Sequence, residues 1–218
     1  MQIIYGTTNQ GKLDSMRNRL KSLNIEILSL NDVASPKLTI PEVGNSPLAN
    51  ARIKATAYFE ALQRPVFSAD SGLYIDGLAL DDPRQPGVNV RGANDYMDDE
   101  TAIAYYAALS KSLGGRIVAR YSNAICLVMG NGVVFEHDHD DISSKPFIIA
   151  DVPHPRRTAG FPLDSLSINI TSGKYFMDEE IDTTIGDAQK YGAHYSGFVT
   201  FFQKILDFCD FDLKNSGR

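Results

Sequence analysis

Little in this 218-residue chain points to an extracellular or membrane setting. It has only two cysteines, Cys126 and Cys209, each inside an apolar run (AICLVM and ILDFCDF). Two such thiols argue for a reducing compartment and against a disulfide scaffold. The opening MQIIYGTTN has neither the charge nor the apolar length of a secretory leader. No apolar run approaches about 20 residues, the length of a membrane-spanning helix. Internal repeats, low-complexity tracts and linkers are missing too, so residues 1–218 read as one domain. Positive charge is in deficit: 21 Lys and Arg against 27 Asp and Glu give a formal net charge of −6. That balance argues against nucleic acid or an anionic membrane as the main partner. It leaves room for a small anion in a locally basic pocket. The expectation is a cytosolic protein.

What is present is ordinary globular material, 43% apolar, in an alternation of strand-like and helix-like segments. Residues 2–5 (QIIY) read as a strand, 7–12 (TTNQGK) as a polar turn, and Leu13, Met16, Leu20 and Leu23 recur at helical spacing. Residues 25–30 alternate as a second strand, and 31–45 form a proline- and glycine-containing loop. Ser46-Pro47 starts a helix, a capping hydroxyl followed by proline in the first turn. Pro65-Val66-Phe67 begins a third strand, expected to end at Asp70. Residues 79–97 are loop-like, 98–113 helical up to Gly114-Gly115, and 116–129 and 133–139 strands joined at Gly130-Asn131-Gly132. Residues 146–150 form a short strand. A last helix over 195–209 faces Phe198, Phe201, Phe202, Ile205 and Phe208 inward.

Three places carry chemistry. TTNQGK joins a strand to a helix, where unpaired first-turn N–H groups and Lys12 suit a phosphate. Its spacing is not that of a Walker loop, and an ordinary cap at Thr8 or Asn9 is the plainer reading. Lys54, two turns into its helix on the same side as Asn50, either snorkels to water or points into a cleft. Glu42, in a loop, and Asp70, at an expected strand end, could together hold Mg²⁺, which prefers oxygen ligands and keeps waters. Asp70 could instead take a proton from an attacking water or cap a turn at Ser71-Gly72.

TTNQGK, PEVGNSPLANARIKA, SADSGL and PGVNVR, in this order, resemble the inosine/xanthosine triphosphate pyrophosphatase family. The family pattern runs T-x-N-x-x-K, then E-x-G with N-A-x-x-K-A, then D-D-S-G-L, then P-G-x-x-S-A-R. The match covers about residues 1–130 and is fainter beyond. The resemblance implies an α/β fold, an elongated mixed sheet with flanking helices and two lobes around a central cleft. It implies a Mg²⁺-dependent hydrolase that converts a noncanonical purine triphosphate (ITP, dITP or XTP) to monophosphate and pyrophosphate. Thr7, Thr8, Asn9 and Lys12 would hold phosphates beside Lys54. Glu42 and Asp70 would hold the metal, Asp70 would orient or deprotonate the water, and Ser71 would contact substrate. A homodimer is the family's habit.

The base-binding half of the pattern is altered. Where the family has G-F-G-Y-D-P, this chain has Gly160-Phe161-Pro162-Leu163-Asp164-Ser165. Phe161 and Asp164 keep their spacing, and an aromatic face can stack on a purine. His194 matches the family histidine. Gln189 stands at the family's lysine, with Lys190 adjacent, and Tyr195 replaces the arginine that would read the 6-oxo group. Ala69 replaces the first acid of D-D. Arg156 and Arg157 are nearby cations that could compensate. Two alternatives stay open: a same-fold hydrolase with another nucleotide substrate, and a weakened nucleotide-binding homologue. FEHDHDD, residues 135–141, looks metal-like but reads as a solvated strand end running into an acidic loop.

Overall fold

Strand β1 (Gln2–Tyr5) is apolar because both its faces are covered: Ile3, Ile4 and Tyr5 are all buried. The structure, a computed structural model, describes residues 1–92, 97–179 and 194–215, the side chains of 194–196 and 212–215 excepted. Parallel to β1 lie β2 (Glu26–Leu28) on one side and β3 (Val66–Ile75) on the other. β2 is shorter than the alternation of residues 25–30 suggests, because Ile25 N–H is spent on a local turn to Leu23 O.

β3 departs from expectation in a way that matters for the site. It does not end at Asp70 but runs on to Ile75, so Ser71-Gly72 is strand and not a turn. The cause is its antiparallel partner β4 (Arg116–Gly130), which pairs with every residue of β3, Asp70 opposite Ala124. What does stop near Asp70 is the parallel part of the sheet: β1 pairs no further than Tyr5 opposite Phe67. β4 turns into β5 (Val133–His137) through Asn131 and Gly132, both at positive φ, as a tight hairpin requires. Its other end pairs with β6 (Phe147–Ala150), which pairs with β7 (Ser167–Ile168). Among the described residues the sheet has seven strands, ordered β2-β1-β3-β4-β6-β7 with β5 on β4.

Among the described residues four α-helices flank it. α1 (Gln10–Arg19) follows β1, and α2 (Pro47–Leu62) starts at Ser46, whose hydroxyl accepts from Ala49 N–H. α3 (Asp99–Ser112) is capped by Asp98, and α4 (His194–Asn215) is longer than its apolar spacing indicates. Phe198, Phe201, Phe202 and Ile205 of α4 are buried. Phe208 is not fully inward as expected: it stays 38% exposed, with its ring edge-on to Phe135 at 5.3 Å. Cys126 is buried and Cys209 only partly so. Among the described residues no helix is long and apolar enough to cross a membrane.

Two apolar clusters share the β3–β4 pair. One gathers Tyr5, Met16, Phe67, Ile125, Leu127 and Phe202; the other gathers Leu73, Ile75, Tyr106, Ile117, Phe147 and Leu163. Each fully buried large side chain contributes about 1.5–3 kcal/mol, so both clusters are substantial. The cleft opens between them, along the middle of β3.

Candidate active site

The cleft, about 590 Å³ in volume, begins where β1 ends. Gly6 N–H bonds Phe67 O at 2.8 Å, and Ser68 Oγ donates to Gly6 O at 3.0 Å. A Cβ at Gly6 would stand 2.6 Å from Ser68 Oγ and 2.8 Å from the Tyr58 ring, so only glycine fits this exit. The loop then folds on itself. Thr7 Oγ1 accepts from Asn9 N–H at 3.2 Å, and Asn9 Oδ1 accepts from Lys12 N–H at 3.0 Å. Asn9 is therefore the cap of α1, the plainer reading of its position, and the cap aims the helix's positive end at the cleft. Thr7, Thr8, Asn9 and Lys12 all line the cavity.

Strand alternation decides where Asp70 points. Val66 packs on Tyr58 of α2, and Ser68 and Asp70 follow on that face. Phe67, stacked on Tyr5 at 4.3 Å, points the other way, as do Ala69 and Ser71. Asp70 is 6% exposed. Lys54 of α2 reaches it: Lys54 Nζ donates to Asp70 Oδ1 at 2.8 Å and to Glu42 Oε2 at 3.2 Å. Asp70 Oδ2 is buried and has no hydrogen-bond partner among the described residues. A buried carboxylate oxygen without a partner is costly, and it marks the place where a ligand is to be met. Burial alone would depress the Lys54 ammonium, but Asp70 and then Glu42 outweigh it and hold its pKa above the ordinary value.

Glu42 is brought here by a residue that sequence reading noted only as a neighbour of Lys54. Asn50, 1% exposed, accepts from Gly44 N–H at 2.8 Å and ties the Glu42 loop to α2. The approach is so close that a Cβ at Gly44 would sit 2.6 Å from Asn50 Oδ1. Among the described residues no group of three or more His, Cys, Asp or Glu could hold a metal ion. Glu42 and Asp70 are thus a two-carboxylate set. With the unpartnered Oδ2 they suit a hard cation that takes its other oxygens from water and substrate.

The opposite wall carries Phe161 and Asp164, on a short 3₁₀ turn over Pro162–Ser165. It touches the first loop directly: a Cβ on Gly11 would lie 2.5 Å from Phe161 Cε2, and one on Gly160 would lie 3.1 Å from Asn9 Oδ1. Tyr121 lies deep in this wall. Burial raises its phenol pKa, the Asp164 charge adds to that, and Arg91 opposes it. Ser71 lines the cleft beside Ala69.

Of the residues picked from sequence, the structure brings Thr7, Thr8, Asn9, Lys12, Glu42, Lys54, Asp70, Ser71, Phe161 and Asp164 to one cavity. His194 is the first residue of α4, but its side chain lies outside the described residues, as does that of Tyr195. Gln189 and Lys190 lie outside them altogether. Arg156 and Arg157 do not reach the cleft. Arg156 bonds Asp178 at 2.9 Å and Arg157 bonds Glu100 at 2.7 Å, so the suggested compensation has no support in their placement. His137 bonds Asp141 at 2.7 Å. Sequence reading missed Arg91, although it closes the motif PGVNVR. Its guanidinium meets Asp99 at 2.6 Å and Gly160 O at 3.3 Å.

Comparison with known proteins gives a consistent result. The Ham1 family model matches residues 3–165. A dITP/XTP pyrophosphatase of Rhodopseudomonas palustris is 32% identical over 200 residues, covering 88% of this chain and 84% of that protein. One of Halalkalibacterium halodurans is 39% identical over 167 residues, covering 75% and 79%. Among solved structures, a HAM1 protein from Coxiella burnetii superposes with a TM-score of 0.68 at 21% identity, covering 94% of this chain and 99% of that one. A nucleoside-triphosphatase described as a dITP/XTP pyrophosphatase, from Mycobacterium abscessus, gives 0.60 at 25% identity, covering 88% and 96%. The mixed sheet with flanking helices is the fold of these proteins.

Proposed function

The chain belongs to the Ham1 family, and from that premise we propose that it is a nucleoside triphosphate pyrophosphohydrolase. Its substrates on this reading are noncanonical purine triphosphates (ITP, dITP, XTP), and its products are the monophosphate and pyrophosphate. One observation carries the proposal. A buried carboxylate, with one oxygen on Lys54 and the other without a partner among the described residues, shares a cleft with a helix-capped loop fit for phosphate.

The residues divide the work as follows. The first turn of α1, with Lys12, Thr7, Thr8 and Asn9, holds the β- and γ-phosphates by N–H donors, hydroxyls and charge. Lys54 spans Asp70 and the α-phosphate. Asp70 Oδ2 accepts a proton from, or orients, the water that attacks the α-phosphorus, while the bond from that phosphorus to the bridging oxygen breaks and pyrophosphate leaves. Glu42 and Asp70 would hold Mg²⁺, which when bound neutralises the developing phosphate charge. Phe161 is the platform for the base and Ser71 and Asp164 contact the nucleoside, and the sequence resemblance adds His194 to the substrate-binding set. The reading takes residues 1–218 as one domain. The sequence resemblance and the two reduced-type cysteines support a cytosolic homodimer.

A second reading, a hydrolase of the same fold for another nucleotide, is favoured by the base end. Tyr195 stands where the family pattern has arginine, and Arg156 and Arg157 are engaged elsewhere. A panel of nucleoside triphosphates with Mg²⁺, scored separately for pyrophosphate and orthophosphate, decides between them. Inosine or xanthosine nucleotides should give the highest kcat/KM, with pyrophosphate as product. A standard or pyrimidine nucleotide ahead of them supports the second reading, and orthophosphate as the product overturns the cleavage position.

A further inference from the structure

The wall opposite Lys54 contains an ion pair that the proposed chemistry does not use. Arg91 Nη2 meets Asp99 Oδ1 at 2.6 Å, and its Nη1 donates to Met97 O at 3.0 Å. The second oxygen of Asp99 accepts from Gly160 N–H at 2.8 Å, while Arg91 Nη2 also donates to Gly160 O at 3.3 Å. Both polar ends of Gly160 are therefore held by one ion pair. Gly160 adopts φ +80°, a conformation that favours glycine. The next residue is Phe161, whose ring is stopped on its other side by Gly11 of the first loop.

We propose that Arg91 and Asp99 are positioning residues for the nucleobase: together they fix the Gly160 peptide and thereby the Phe161 ring. The proposal rests on the reading of Phe161 as the base platform and adds what sets that platform. The chemistry suits the task. Only a carboxylate can accept from a guanidinium and an N–H at once, one oxygen to each, without a proton of its own in the way. Only the planar fork of arginine can reach Asp99, Met97 O and Gly160 O from one side chain. Asp99 also sits in the first turn of α3, where the helix end favours its charge. Half of the clamp comes from the segment after β3 and half from α3, so the base platform is positioned by elements remote from it in sequence.

The test compares two ligands that share phosphate chemistry but differ in whether they carry a base: inosine monophosphate and pyrophosphate. Equilibrium binding of each is measured for the wild type, Asp99→Asn, Arg91→Lys, Phe161→Ala and the double variant Asp99→Asn/Phe161→Ala. Asp99→Asn should weaken inosine monophosphate about tenfold and pyrophosphate by less than about twofold. In turnover of ITP the loss should fall on KM and not on kcat. On the Phe161→Ala background, Asp99→Asn should add almost nothing, because the two act through one element. Equal weakening of both ligands overturns the proposal, as does a loss that multiplies in full with that of Phe161→Ala. If Asp99→Asn does not fold, Arg91→Lys decides in its place: a loss confined to the base-bearing ligand supports the clamp, and any other pattern overturns it. A wild type that binds inosine monophosphate yet cleaves no triphosphate removes the hydrolase reading and leaves the clamp standing. One that binds no purine nucleotide removes both.

Discussion

Replacing Lys54 with methionine keeps most of the side-chain volume and removes the positive charge that, among the described residues, is paired with Asp70. The Lys54 and Asp70 side chains are 14% and 8% exposed, so this is a largely desolvated pair. Asp70 Oδ2 already lacks a partner among the described residues, and Lys54→Met takes the Lys54 bond from Oδ1 as well. Breaking a buried pair from one side costs about 3–5 kcal/mol. The Glu42 contact adds little, because Glu42 is 36% exposed and screened by water. A loss of roughly 3 kcal/mol lowers the melting temperature of a chain this size by about 6–12 °C. Thermal unfolding followed by circular dichroism reads that directly. The double variant Lys54→Met/Asp70→Asn removes the stranded charge and should recover at least half of the loss. The sign with pH is fixed by the raised pKa of Lys54: its contribution is fully present below the ordinary lysine value of 10.5 and is lost as pH climbs through the higher folded-state value. The gap between wild type and Lys54→Met should thus be constant near neutrality and narrow only in strong alkali. A Lys54→Met protein melting within about 2 °C of wild type, or a double variant no better than the single one, refutes the reasoning.

Asp70→Asn should cut kcat by about 10²–10⁴ with a small change in KM, read as pyrophosphate release; an unchanged rate removes Asp70 from the mechanism. Chelation should abolish turnover and added Mg²⁺ restore it, and full activity after chelation would show that Glu42 and Asp70 serve without a metal. Gly11→Ala drives a methyl into Phe161 at 2.5 Å, so KM for ITP should rise by up to about tenfold; a wild-type KM contradicts the contact. Gly197→Ala places a Cβ 2.3 Å from Asp141 O, where α4 crosses the turn after β5, and should cost about 1–3 kcal/mol in denaturant unfolding, with no cost expected if the helix stands off that turn.

Features written in adjacent residues were legible in the sequence. Ser46-Pro47 does begin a helix and Asn131-Gly132 does make a hairpin, because caps and tight turns are decided within a few residues. The placement of Asp70 was half legible. Its exposure to a cleft follows from the end of β1, but its strand continues because β4, far along the chain, pairs with all of it. Arg91 and Asp99 are only eight residues apart, but no local rule pairs a loop arginine with the first turn of the helix that follows; the brief β7 exists through its pairing with β6 and a bridge to Tyr175. Asn50 was visible beside Lys54, yet its bond to Gly44 depends on how a loop folds back. Phe208 fits the apolar period of α4 but stays 38% exposed, with its ring edge-on to Phe135, so periodicity overstated the core.

The β3–β4 ribbon is rooted in one apolar cluster at Phe67, Ile125 and Leu127 and in the other at Leu73, Ile75 and Ile117. Asp70 and Ala124 face each other at its midpoint. The ribbon therefore ties the two clusters into one piece, and the carboxylate at its midpoint is held by paired backbone that runs into both.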